Sequence, residues 1–173
     1  MSMLQKIAII GPESTGKTYL AAQLASYYKC YWVPEYAREY LKNLKHAYTQ
    51  ADIEKIAMGQ IDYEDVLAQE SKKLLICDTN LITIKIWLDH KYNNCPEWIN
   101  NEIQNRKYAL HLITYPDIPY KFDPLRENPE LGEYFFKKYK SLLISYQFPY
   151  VIIDGDYETR MKKAVRAISN LMN

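Results

Sequence analysis

The stretch that most constrains this chain is Gly11-Pro12-Glu13-Ser14-Thr15-Gly16-Lys17-Thr18. It follows a short apolar run, Ile7 to Ile10, and precedes a segment whose apolar residues Leu20, Ala21, Leu24, Ala25 and Tyr28 recur at helical spacing. Strand, glycine-bearing loop and helix in that order turn several backbone N–H groups, and the positive end of a helix dipole, towards one point. A lysine and a hydroxyl residue at the helix start add a mobile cation and an oxygen ligand, which together suit a phosphate chain carrying a metal ion. The full pattern GxxxxGK[ST] in this context is a P-loop, and it predicts ATP as the bound nucleotide with Mg²⁺ held beside Thr18.

The rest of the chain reads as repeats of strand and helix. Cys30 to Val33 predicts a second strand, stopped by Pro34, which leaves Glu35 just past a strand end. A short helix is expected over 36–44, and a longer one from Thr49 to about Glu70, with Thr49 and Asp52 spaced as a capping box. Leu74 to Cys77 reads as a buried parallel strand opening onto Asp78-Thr79-Asn80. Helices are predicted over 81–90 and 98–105, a fourth strand over 108–114, a helix over 131–146, a fifth strand over 150–153 and a closing helix capped at Asp156. Pro116, Pro119, Pro124 and Pro129 make residues 115–130 an irregular segment, expected to act as a lid like that of adenylate kinase. The fold class that follows is α/β: a P-loop NTPase with a five-stranded parallel sheet, helices on both faces and ligands at the carboxyl ends of the strands. With 173 residues and no linker or repeat, residues 1–173 are expected to form one domain.

Composition narrows the partners. Twenty-two basic and 21 acidic residues leave a net charge of +1, which gives no field to draw a nucleic acid. No apolar run reaches the roughly 20 residues of a membrane span, and no cleavage region precedes the first strand, so a cytoplasmic location is expected. Cys30, Cys77 and Cys95 form no CxxC pair, and His46, His90 and His111 form no triad or ligand pair; each histidine is expected at the surface or in the core. The 17 tyrosines read mainly as a compositional bias.

Four side chains carry the expected chemistry. Lys17 contacts phosphate. Asp78 stands where a metal-holding aspartate is needed, although Asp78 or Thr79 can also cap the helix that follows. Glu35 is placed to orient or deprotonate an acceptor hydroxyl, with Arg38 and Glu39 one helical turn on, where a solvated ion pair is the plainer role. Arg126, in the lid segment, stabilises charge on a transferring phosphoryl group or pairs with Asp123 or Glu127. A small-molecule kinase accounts for a lid and strand-end acids together. A nucleotide-dependent switch needs neither, and no NKxD-like guanine-specificity segment occurs.

The blocks Gly11 to Thr18, Val33-Pro-Glu-Tyr-Ala-Arg-Glu-Tyr40, Cys77-Asp-Thr-Asn80 and Asp123-Pro-Leu-Arg-Glu-Asn128 together resemble the NadR-type ribosylnicotinamide kinases over nearly the whole chain. The resemblance implies transfer of a phosphoryl group from ATP to the ribose 5′-hydroxyl of nicotinamide riboside, giving nicotinamide mononucleotide for NAD salvage. It implies that Glu35, Tyr36, Arg38, Asp78 and Asn80 surround the riboside, and that an aromatic side chain stacks on its ring. Tyr63 is the first candidate, followed by Trp32, Tyr36 and Trp87. Some relatives have a tryptophan immediately before the Glu-Tyr pair, where this chain has Pro34. Bifunctional relatives carry further modules ahead of the kinase, whereas Met1 here falls just before the first strand, so a stand-alone kinase is expected.

Overall fold

A computed structural model of the chain describes residues 3–119 and 129–172. Five parallel strands form one sheet: β1 (Gln5–Ile10), β2 (Tyr31–Val33), β3 (Leu74–Asp78), β4 (Leu110–Thr114) and β5 (Tyr150–Ile153), in the spatial order β2-β3-β1-β4-β5. Between them lie α1 (Lys17–Tyr28), α2 (Tyr36–Asn43), α3 (Gln50–Glu70), α4 (Leu81–Tyr92), α5 (Glu97–Asn105) and α6 (Gly132–Ser145), with α7 (Tyr157–Met172) closing the fold. The expected fold class is the observed one. The fourth strand starts two residues later than its apolar run suggests, because Tyr108 lies outside the ladder with its hydroxyl donated to Glu64.

Strand alternation explains why both faces are covered. Along β1, Ile7 and Ile9 pack with Leu20, Leu24, Ala164 and Ile168 of α1 and α7, whereas Ala8 and Ile10 pack with α3, α4, α5 and α6. All four side chains have no solvent exposure, as expected of a central parallel strand that must be apolar on both sides. The Thr49–Asp52 capping box forms as expected: the Thr49 hydroxyl accepts from the Asp52 amide, and the Asp52 carboxylate accepts from the Thr49 amide at 2.9 Å. Tyr40 of α2 donates to the other Asp52 oxygen at 2.7 Å, so the cap of α3 also ties down α2. No disulfide links Cys30, Cys77 and Cys95. Among the described residues, no helix is long and apolar enough to cross a membrane.

Sheet order positions the site. β1 lies between β3 and β4, so the loop after β1 emerges with a strand end on either side. In the register of β1 and β3, Ile9 stands opposite Asp78, and the Thr79 amide donates to the Ile9 carbonyl at 2.9 Å. The carboxylate of Asp78 is thereby delivered to the loop that starts at Gly11.

Candidate active site

The loop from Gly11 to Thr18 is shaped by close approach and by left-handed backbone. Gly11 has φ 142°, and a Cβ there would lie 2.4 Å from the Thr114 hydroxyl and 2.7 Å from the Thr114 carbonyl, so no side chain fits. Ser14 and Gly16 are left-handed at φ 59° and 77°. Buried Thr15 donates its hydroxyl to the Pro12 carbonyl at 2.7 Å and meets the Thr114 hydroxyl at 2.6 Å. Lys17 folds back onto the Pro12 carbonyl at 2.7 Å, holding its ammonium over the loop.

Thr18 and Asp78 are joined directly, the Thr18 hydroxyl donating to Asp78 Oδ2 at 2.6 Å. Asp78 is fully buried, and its Oδ1 has no hydrogen-bond partner. Burial pushes its carboxyl up to about 6, helped by the negative charge of Glu35 and opposed by the Thr18 hydrogen bond, Lys17 and Arg38. An orphaned carboxylate oxygen beside a threonine hydroxyl fits a hard divalent cation that takes its other ligands from phosphate and water. Among the described residues no group of three or more His, Cys, Asp or Glu is placed to hold a metal ion.

The sequence leaves the capping of α4 to Asp78 or Thr79. In the structure Asn80 does it, its Oδ1 accepting from the Ile82 amide at 3.0 Å. Asp78 is freed for the loop, while Asn80, expected at the substrate, is only 3% exposed and does not line the cleft.

A cleft of about 150 Å³ opens beside the loop. Gly11, Pro12, Glu13 and Lys17 line it, together with Glu35 at the N-cap of α2 and Arg38 within it. The Arg38 guanidinium lies 3.6 Å from the Glu35 carboxylate, one helical turn away. Thr83, Ile86, Trp87, His90 and Lys91 of α4 continue the wall. At 1.5 Å per residue, Thr83 to Lys91 span about 12 Å along the helix. Tyr48 completes that wall: the Trp87 indole N–H donates to its hydroxyl at 3.0 Å and Lys91 donates at 2.5 Å.

The structure therefore brings Lys17, Glu35 and Arg38 into one cleft and sets Thr18 and Asp78 against the same loop. Besides Asn80, it places two further expected substrate residues elsewhere. Tyr63 donates its hydroxyl to Glu39 at 2.7 Å and packs edge-on against Tyr36, ring centres 5.0 Å apart, and neither ring lines the cleft. The Tyr36 amide donates to Gln60 at 2.9 Å, and its ring lies over Gly59, where a Cβ would come within 2.2 Å. These two tyrosines clamp α2 to α3 because Gly59 lets the ring settle on the helix backbone. Trp32 packs among the residues facing α1 and α7, leaving Trp87 as the aromatic candidate that reaches the cleft. His90 is exposed, the surface position expected, and that surface is the cleft wall. Arg126 and most of the lid segment lie outside the described residues. Sequence reasoning missed Tyr48, Thr114 and Arg160; only Gly59, a glycine inside a helical pattern, carried a visible signal.

A family model described as an AAA domain matches residues 6–160. Among curated proteins, the trifunctional NAD biosynthesis/regulator protein NadR of Salmonella typhimurium is 25% identical over 180 aligned positions, covering 98% of this chain and 43% of that protein. NadR of Escherichia coli is 25% identical over 179 positions with the same coverage. The chain thus spans less than half the length of these relatives. A crystal structure of NadR protein in complex with NR superimposes with a TM-score of 0.83 at 22% identity, covering 97% of this chain and 49% of that one. Deoxyadenosine kinase from M. mycoides with bound dATP gives 0.62 at 16% identity, covering 95% and 99%. The loop from Gly11 to Thr18, the flanking strands and the match over residues 6–160 agree: this chain belongs to the AAA domain family of P-loop proteins and is homologous to NadR.

Proposed function

We propose that this protein is an ATP-dependent kinase that phosphorylates the ribose 5′-hydroxyl of nicotinamide riboside. The observation that carries the reading is the shared cleft, in which Glu35 and Arg38 face the same space as Lys17 and the phosphate loop. An acceptor whose hydroxyl sits at Glu35 meets the end of a triphosphate held by Gly11 to Thr18, and the rest of the acceptor runs along α4 towards Trp87 and Tyr48.

In the proposed reaction the acceptor oxygen forms a bond to the terminal phosphorus and its proton passes to Glu35. The bond from that phosphorus to the bridging oxygen breaks, and its electron pair leaves with ADP. Lys17 swings from the Pro12 carbonyl to the phosphates, while the Arg38 ion pair holds the Glu35 carboxylate in place. Thr18 and Asp78 would hold Mg²⁺, which neutralises charge on the phosphate oxygens. Arg126 is proposed to act on the transferring group from the lid segment.

Trp87 and Tyr48 supply aromatic faces of the kind a cationic pyridinium ring favours. Lys91 on the same wall favours a second reading, a kinase whose acceptor carries a neutral base or a phosphate, since an ammonium repels a pyridinium. An ADP-release assay with nicotinamide riboside, common nucleosides and nucleoside monophosphates separates the two. Preference for nicotinamide riboside is expected; preference for another acceptor supports the second reading, and slow turnover indifferent to every acceptor removes the kinase reading.

A further inference from the structure

The proposed reaction leaves one buried cation behind the phosphate loop without a role. Arg160, in the first turn of α7, is 2% exposed, and four of its guanidinium contacts reach three separate segments. Nη1 donates to the Thr15 carbonyl at 2.7 Å, Nη2 to the Tyr115 carbonyl at 2.6 Å, and Nε to the Gly155 carbonyl at 2.7 Å. Nη2 also pairs with the Asp117 carboxylate, whose other oxygen accepts from the Gly155 amide at 2.7 Å. The phosphate loop, the segment after β4 and the turn between β5 and α7 are thus fastened to one planar group.

The contact with Thr15 bears on the loop itself. A trans peptide holds its C=O and the following N–H in opposite directions, so fixing the Thr15 carbonyl fixes where the Gly16 N–H points. The carbonyl is drawn towards Arg160, and the Gly16 N–H is turned the other way. Gly16 at φ 77° is the residue most able to flip if that restraint is removed.

We infer that Arg160 is a positioning residue for the nucleotide site: with Asp117 it sets the Thr15–Gly16 peptide so that the Gly16 amide is presented to phosphate. A guanidinium is needed, because a lysine ammonium is a single donor centre and cannot span three carbonyls in fixed directions. The inference rests on the reading of the loop as a nucleotide site and is independent of the acceptor.

The test compares Arg160→Lys and Asp117→Asn with the unaltered chain, using thermal melts and isothermal titration with AMP-PNP plus Mg²⁺ and, separately, with nicotinamide riboside. Arg160→Lys is expected to melt cooperatively, to bind AMP-PNP about tenfold more weakly and to bind the riboside within about twofold of the unaltered chain. Asp117→Asn, which keeps Arg160 and loses only its charged partner, is expected to weaken AMP-PNP about threefold, again selectively. A folded Arg160→Lys variant that binds AMP-PNP normally, or that loses nucleotide and riboside affinity in parallel, overturns the inference. Should Arg160→Lys fail to fold, unchanged AMP-PNP binding by Asp117→Asn overturns it instead. An unaltered chain that binds no AMP-PNP removes the nucleotide reading and this inference with it, whereas failure to bind the riboside alone counts only against the proposed acceptor.

Discussion

Replacing Asp78 with asparagine should make the ligand-free protein more stable at neutral pH while removing metal-dependent turnover. The carboxyl titrates at about 6 in the folded chain against an ordinary 3.8, mainly because burial disfavours its charge. Below about pH 3.8 it is protonated in both folded and unfolded chains. Between 3.8 and about 6 the unfolded chain loses the proton first, so the folded state binds more protons and stability falls as pH rises. Above about 6 the full cost of burying the charge is felt, and a shift of about two pH units corresponds to about 3 kcal/mol.

Asparagine carries no such charge. Its amide faces the same orphan position as Asp78 Oδ1, but that penalty does not depend on pH. Titrations common to both proteins, such as His111, which burial holds down at about 4, cancel in the difference. Urea unfolding between pH 4 and pH 7.5, without nucleotide or divalent metal, should therefore show the variant gaining on the unaltered chain as pH rises, by up to about 3 kcal/mol. At neutral pH this is up to about 10 °C in Tm for a chain of this length. A difference that stays flat, or shrinks with rising pH, refutes the argument that burial strains this carboxylate.

Three further outcomes are expected. Lys17→Ala should keep its circular dichroism and melting temperature while turnover falls by about 10²–10³-fold, because the ammonium serves charge in the transition state and not the core. Trp87→Ala should weaken acceptor binding several-fold in a titration, with ATP affinity unchanged; Tyr63→Ala, which breaks the contacts with Glu39 and Tyr36, should instead lower the melting temperature with little direct loss of acceptor contact. Gly59→Ala should destabilise the protein in a thermal melt despite alanine's gain of about 1 kcal/mol in helix propensity, since the new methyl must displace the Tyr36 ring and with it the start of α2 beside Glu35.

What the sequence determined by itself is whatever a local pattern dictates. The spacing of Gly11, Gly16, Lys17 and Thr18 between an apolar run and a helical period specifies strand, loop and helix. Thr49 and Asp52 mark the start of α3 because their reciprocal hydrogen bonds span only three residues. Position at a strand end, or just past one, placed Asp78 and Glu35 near the loop, since parallel strands converge their carboxyl ends.

Tertiary structure decided the rest, wherever two distant segments compete for one side chain. Asn80 took the cap of α4 and left Asp78 with an orphan oxygen against Thr18. Gly59 opened a seat for Tyr36, which drew Tyr63 into packing and away from the cleft. The ring wall fell to Tyr48 and Trp87, 39 residues apart in sequence and joined by one hydrogen bond. Arg160 looks like any basic residue of a surface helix until the fold lays that helix behind the phosphate loop, 145 residues from Thr15. Periodicity reports which face of an element is buried, but the partner a buried polar group finds is set by which strands neighbour β1, and that is a property of the assembled sheet.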